Sequence, residues 1–257
     1  MRTIIKRPTP KALTEWRQPR LAGNKGPGME CTYEELRRDQ DVLRAVEDGL
    51  FVEQGGICAY TGHPLELGVG EGDGTSARRV GFHIEHLKSQ ERCRNLNGAD
   101  YGEDASYINM VACWPPPNCG YQLPYGAHEK ASWPTPAEDH LFVSPLATSC
   151  GQRFRFDRKG GIEPASPDDE AARTTIRRLG LDNAELKALR RSTIDGELRG
   201  IGLRDARRSL QRLRDDAGRL DAGEDVRLAA YCFAVEQALE REIRKLEGIR
   251  RSRRTQG

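Results

Sequence analysis

The sequence predicts an α+β fold: a small irregular α/β centre embedded in a mostly helical chain with a helical C-terminal region. Three observations predict it. Residues 32–54 and the stretch after Ser166 carry apolar residues at helical spacing. Between Ile57 and about Trp133 that period is lost, and cysteine, histidine, proline and glycine concentrate there instead. Short apolar runs within 80–86, 107–113 and 154–156 read as strands.

The elements follow in chain order. Residues 1–29 read as an arm, broken by Pro8, Pro10, Pro19, Gly26 and Pro27. It is either a disordered tail or a strap, and Trp16 with Ile4-Ile5 points to partial docking. A helix is predicted from Thr32, where Thr32 and Glu35 make a T-x-x-E capping box. Leu36, Leu43, Val46 and Leu50 then share a face, and Gly55-Gly56 ends the helix. Residues 67–79, LGVGEGDGTSARR, read as a hairpin connection. Strands follow at 80–86 and 107–113. Phe154 and Phe156 alternate with arginines, which predicts a hairpin turning at Lys159-Gly160-Gly161. Ser166-Pro167 opens the helical part, with helices expected at 168–180, 182–197, 203–217 and 223–248. This divides the chain into an arm (1–29), a leading helix with the α/β centre (30–135), and a hairpin plus helices (136–257).

Composition narrows the function classes. The 257 residues suffice for one sizeable core or a small domain with an appended one. No run approaches about eighteen apolar residues, so no membrane span is expected. The start, MRTIIKRPTPKALTEW, is too charged for a secretory segment, and a cytoplasmic protein is expected. A net charge of +2 excludes an indiscriminate nucleic-acid coat, leaving local patches or a partner to supply any such contact. Seven cysteines, an odd count, read as free thiols or metal ligands in a reducing compartment.

The chemistry concentrates in residues 82–90, FHIEHLKSQ. On a strand His83 and Glu85 share one face while Ile84 and His86 share the other. A strand ending at Glu85 and turning at His86 would bring both to one site. Three ordered pieces then resemble the HNH nuclease motif, the ββα-metal fold. They are Ile84-Glu85-His86-Leu87-Lys88, Asn109 within Tyr107–Cys113, and Cys119-Gly120 followed by Gly126-Ala127-His128-Glu129-Lys130. The flanks EQGGICAY (53–60), FRFDRKGGI and TIRRLGLDNAELKALR are similar to the HNH nuclease subunit of Septu-type and retron-linked antiphage defence systems. The resemblance covers roughly residues 30–200.

The resemblance implies a metal-dependent DNA endonuclease acting with an ATPase partner. His86 is then the general base, since a histidine near its ordinary pKa accepts a water's proton at neutral pH. Glu85 and His128 are the ligands of one divalent ion, Mg²⁺ or Mn²⁺ with Zn²⁺ also suited. Asn109 ties the loop to the strand, and Lys130 contacts a phosphate. Cys58, Cys113 and Cys119, with His63, are a possible structural zinc set, although Thr61 stands where a C-x-x-C knuckle has its second cysteine. His63, His83 and His140 otherwise read as ordinary structural histidines. The alternative is a non-catalytic, zinc-stapled adaptor whose C-terminal helices bind a protein partner.

Overall fold

The computed structural model describes residues 1–22, 30–69, 78–94, 99–117, 119–120 and 122–255. The fold is α+β, with 51% helix against 9% strand among the described residues. Its sheets are therefore local braces within a helical body: three separate antiparallel pairs among the described residues.

The described part of the N-terminal arm, residues 1–22, is packed rather than loose. Helix α1 spans Lys11–Leu21. Leu13 and Trp16, one turn apart, are buried together with Met1 and Ile4. Lys6 anchors this segment through Glu53, at 2.6 Å, and donates to the Met110 carbonyl at 2.6 Å. Pro19 falls in the last turn, where it removes one intrahelical donor. Gly23, Gly26, Pro27 and Gly28 lie outside the described residues.

The single helix expected after Thr32 forms as two, α2 (Tyr33–Arg38) and α3 (Gln40–Glu53). Thr32 caps the first, its hydroxyl accepting from the Glu35 amide at 3.3 Å. Asp39 breaks the run because its carboxylate caps the second, accepting from the Val42 amide at 3.2 Å. Val42, Val46 and Leu50 face the core. Gly55 and Gly56 reverse the chain at φ 64° and 68°, values that favour glycine.

β1 (Leu67–Val69) pairs with β2 (Arg78–Val80), and the connection at 70–77 lies outside the described residues. The strand expected over 80–86 divides at Gly81-Phe82. Its second half, β3 (His83–His86), turns to pair antiparallel with β4 (Met110–Cys113). Between them lies the short α4 (Gln90–Cys93), and after them the four-residue α5 (Ala127–Lys130). The hairpin β5 (Phe154–Phe156) and β6 (Ile162–Pro164) forms where the alternation placed it.

Helices α6 (Glu170–Arg178), α7 (Ala184–Leu198), α8 (Leu203–Asp221) and α9 (Cys232–Thr255) make up the C-terminal part. Asp169 caps α6 in place of the Ser166-Pro167 start, accepting from the Ala172 amide at 2.9 Å. α9 starts at Cys232, not near 223. The preceding residues instead bond outward: Leu228 donates to the Gly55 carbonyl at 2.9 Å and Tyr231 to that of Gly62 at 3.0 Å. Tertiary hydrogen bonds there replace intrahelical ones. One cluster of buried apolar residues runs from Met1 to Leu239 and crosses all three expected segments. Among the described residues no helix is long and apolar enough to cross a membrane.

Candidate active site

The β3–β4 pair sorts the chemistry by face. His83 lies opposite Cys113 and Glu85 opposite Val111, while Ile84 and His86 lie opposite Ala112 and Met110. Directly paired residues share a face, so His83 and Glu85 look one way and His86 the other.

His86 remains in the strand, and the turn that would bring it beside Glu85 does not form. It is 4% exposed. Its Nε2 donates to the Asp104 carbonyl at 2.9 Å, and its Nδ1 accepts from the Gln90 amide at 3.3 Å. With both ring nitrogens engaged, no lone pair is left for a water's proton. The ring meets Tyr33 edge-on at 4.5 Å. Burial pushes its pKa down to about 4, against the pull of the Asp104 carbonyl and with help from Lys130 and His83. The sequence-assigned base is therefore a neutral strut in the interior.

On the other face, α5 delivers His128 and Lys130. Gly126 admits the chain at φ 74° and donates to the Leu179 carbonyl at 2.7 Å. The His83 and His128 rings stack with centroids 5.9 Å apart. Their backbone partners assign opposite tautomers. His83 Nδ1 lies 2.6 Å from the Pro115 carbonyl, which only accepts, so Nδ1 carries the proton and Nε2 the lone pair. His128 Nδ1 accepts from the Leu123 amide at 3.0 Å, so neutral His128 presents Nε2–H. Burial and then His83 lower the His128 pKa, opposed by Glu85. One imidazole is poised to take a proton, and its neighbour to donate a hydrogen bond.

Lys130 lies underneath. Its side chain is 0% exposed, with Nζ 2.9 Å from Glu85 Oε1. It donates to the His86 carbonyl at 2.8 Å. Buried in this way it positions Glu85 and cannot reach a phosphate from solvent, contrary to the sequence reading. Glu85 Oε1 forms an ion pair with Lys130 but no directed hydrogen bond, and the Tyr60 hydroxyl, also buried, has no hydrogen-bond partner. Burial, then Glu85 and the two thiols of Cys113 and Cys58, drive the Tyr60 pKa well above its ordinary value.

Asn109 is a strap. Its side chain accepts from the Lys88 amide at 2.7 Å and donates to the Lys88 carbonyl at 3.0 Å, while its own carbonyl accepts from the Leu87 amide at 2.9 Å. The turn leaving β3 is thereby tied to the start of β4.

The resemblance implies a divalent metal. Glu85 is of the right chemical type, since Mg²⁺ commonly takes one or two carboxylates with water and substrate phosphate, but its buried Oε1 is already paired with the Lys130 ammonium at 2.9 Å. His128 does not complete the pair, because its Nδ1 is engaged and its Nε2 protonated in this arrangement. Among the described residues no three His, Cys, Asp or Glu side chains are gathered to hold a metal. Cys58 and Cys113 are fully buried neighbours. Burial raises the Cys58 thiol, but hydrogen bonds from Cys113, Thr61 and Trp114 outweigh it and hold its pKa at about 6. Cys119 is half-exposed. His63 turns to Tyr231, 3.0 Å from its hydroxyl, and packs tilted against Trp114.

Sequence reasoning passed over His83 as a structural histidine, although strand alternation already placed it beside Glu85. The partners that bury His86, Tyr33 and Asp104, carry no local signal. No protein-family model matches the chain, and no curated protein matches it significantly.

Proposed function

We propose that this chain is a DNA-cleaving phosphodiesterase of the HNH type, working from the face that carries His83, Glu85 and His128. The observation behind the reading is the pair of stacked imidazoles with opposite tautomers beside a half-buried carboxylate. His83 Nε2 takes the proton of the attacking water, and the Pro115 carbonyl holds the ring in the required tautomer. His128 Nε2–H donates to a phosphate oxygen as charge develops there. Lys130 fixes the Glu85 carboxylate from below. Glu85 would be the carboxylate to hold a divalent ion, which would supply Lewis-acid charge stabilisation. An ATPase partner, as in the antiphage systems whose nuclease subunit the sequence resembles, supplies the DNA affinity that a net charge of +2 does not.

The test is a cleavage assay on plasmid and linear duplex DNA with Mg²⁺ or Mn²⁺. It is run with EDTA as control and with and without an ATPase partner, should one be encoded nearby. His83→Ala is expected to lower cutting by about a hundredfold or more while the melting temperature holds. Full cutting by folded His83→Ala would overturn the base assignment. No cutting by the assembled wild type would return the weight to the adaptor.

A further inference from the structure

A cavity of about 620 Å³ lies between β5 and α9. Small-molecule sites span about 300–1,000 Å³. Four arginines line it: Arg2, Arg155, Arg241 and Arg244. Its two carboxylates, Glu236 and Glu240, are both committed to Arg214, Glu236 at 2.9 Å. Glu240 is shared, since its charge also acts on Arg241, as does that of Asp157.

The arginines differ in what they have to do. Arg2 pairs with Asp221 at 2.6 Å, and Arg155 donates to the Ala165 carbonyl at 3.0 Å. Arg241 has a buried Nη2 with no hydrogen-bond partner. A buried guanidinium nitrogen without an acceptor is costly, and an incoming anion removes that cost. Burial and then the adjacent Arg244 push the Arg241 pKa down, against Asp157 and Glu240. The wall behind is rigid. Gln237 on α9 accepts from the Phe156 amide at 2.9 Å and donates to the Phe154 carbonyl at 3.0 Å, clamping helix to hairpin. Half-buried Phe233 adds an aromatic surface.

We propose that this cavity binds the phosphate of a nucleotide, either free or within a nucleic-acid strand, with Arg241 and Arg244 taking the phosphate oxygens. The guanidinium fork matches phosphate geometry, and two adjacent guanidinium groups, one with an unpartnered Nη2, match its negative charge. The volume exceeds that of a bare anion, leaving room for sugar and base against Phe233. The site is separate from the His83 face and does not depend on the nuclease reading.

Calorimetric titration of the full chain with ATP, inorganic pyrophosphate and a short DNA duplex tests this. The variants are Arg241→Gln with Arg244→Gln, the exposed control Arg208→Gln, and His83→Ala. The double variant is expected to weaken binding by about tenfold or more at unchanged melting temperature, and both other variants to bind as wild type. Tighter binding of ATP than of duplex identifies a free-nucleotide site, and the reverse identifies a strand-backbone site. The proposal is overturned if no probe binds the wild type below millimolar concentration. It is equally overturned if the double variant binds like wild type, or if His83→Ala loses the binding.

Discussion

His86→Gln separates the interior strut from the catalytic base that the sequence suggests. His86 is buried and neutral, with a pKa lowered to about 4 from an ordinary 6.5. Between those values the unfolded chain binds a proton that the folded chain refuses. Stability from this residue is therefore complete above about pH 6.5 and lost as pH falls toward about 4. The full loss is about 3 kcal/mol, and most of it is present by about pH 4.5. Urea unfolding of wild type and His86→Gln at about pH 7.5 and about pH 4.5 reads it directly. The variant keeps an amide that can donate to the Asp104 carbonyl, so it should still fold. It should lose about 1–2 kcal/mol at neutral pH through poorer packing on Tyr33. Its stability should fall with acid less than that of the wild type by about 2–3 kcal/mol. The raised carboxyl pKa of Glu53 is common to both proteins and cancels. Identical acid slopes would refute the buried neutral histidine. A His86→Gln protein with unchanged stability and slope but no DNA cutting would restore His86 as the base.

Lys6→Met leaves Glu53, with its side chain fully buried, facing only Tyr107 and the Arg7 amide. It should cost about 3–5 kcal/mol in chemical denaturation and expose the arm to protease. Gly160→Ala places a methyl against the Lys187 carbonyl at a residue with φ 82°. It should lower the melting temperature by several degrees, whereas Gly218→Ala, where a methyl meets nothing, should not. Asn109→Ala removes both side-chain bonds to Lys88 and should cost about 1–3 kcal/mol. Hydrogen exchange should show faster opening at residues 87–89 in that variant.

Where structure depends on neighbours in sequence, the sequence alone was informative. The Thr32 cap, the reversal at Gly55-Gly56, the Phe154–Phe156 hairpin and the existence of the C-terminal helices follow from local periodicity and backbone preference. So does the sorting of His83 with Glu85, because alternation along a strand is a local property. What required the tertiary structure depended on distant partners. Asp39 reads equally well inside a helix or as a cap, and the packing of α2 against the 103–105 turn decides between them. The strap before α9 is non-helical because Gly55 and Gly62 offer it carbonyls. Most consequentially, a histidine's role is set by what its ring nitrogens touch. Asp104 and Gln90 close both nitrogens of His86, while Pro115 closes one of His83 and leaves the other its lone pair. Motif order points to the strand that carries the candidate site. Only the partners contributed from residues 90, 104 and 115 decide which of its histidines keeps a ring nitrogen without a backbone or amide partner.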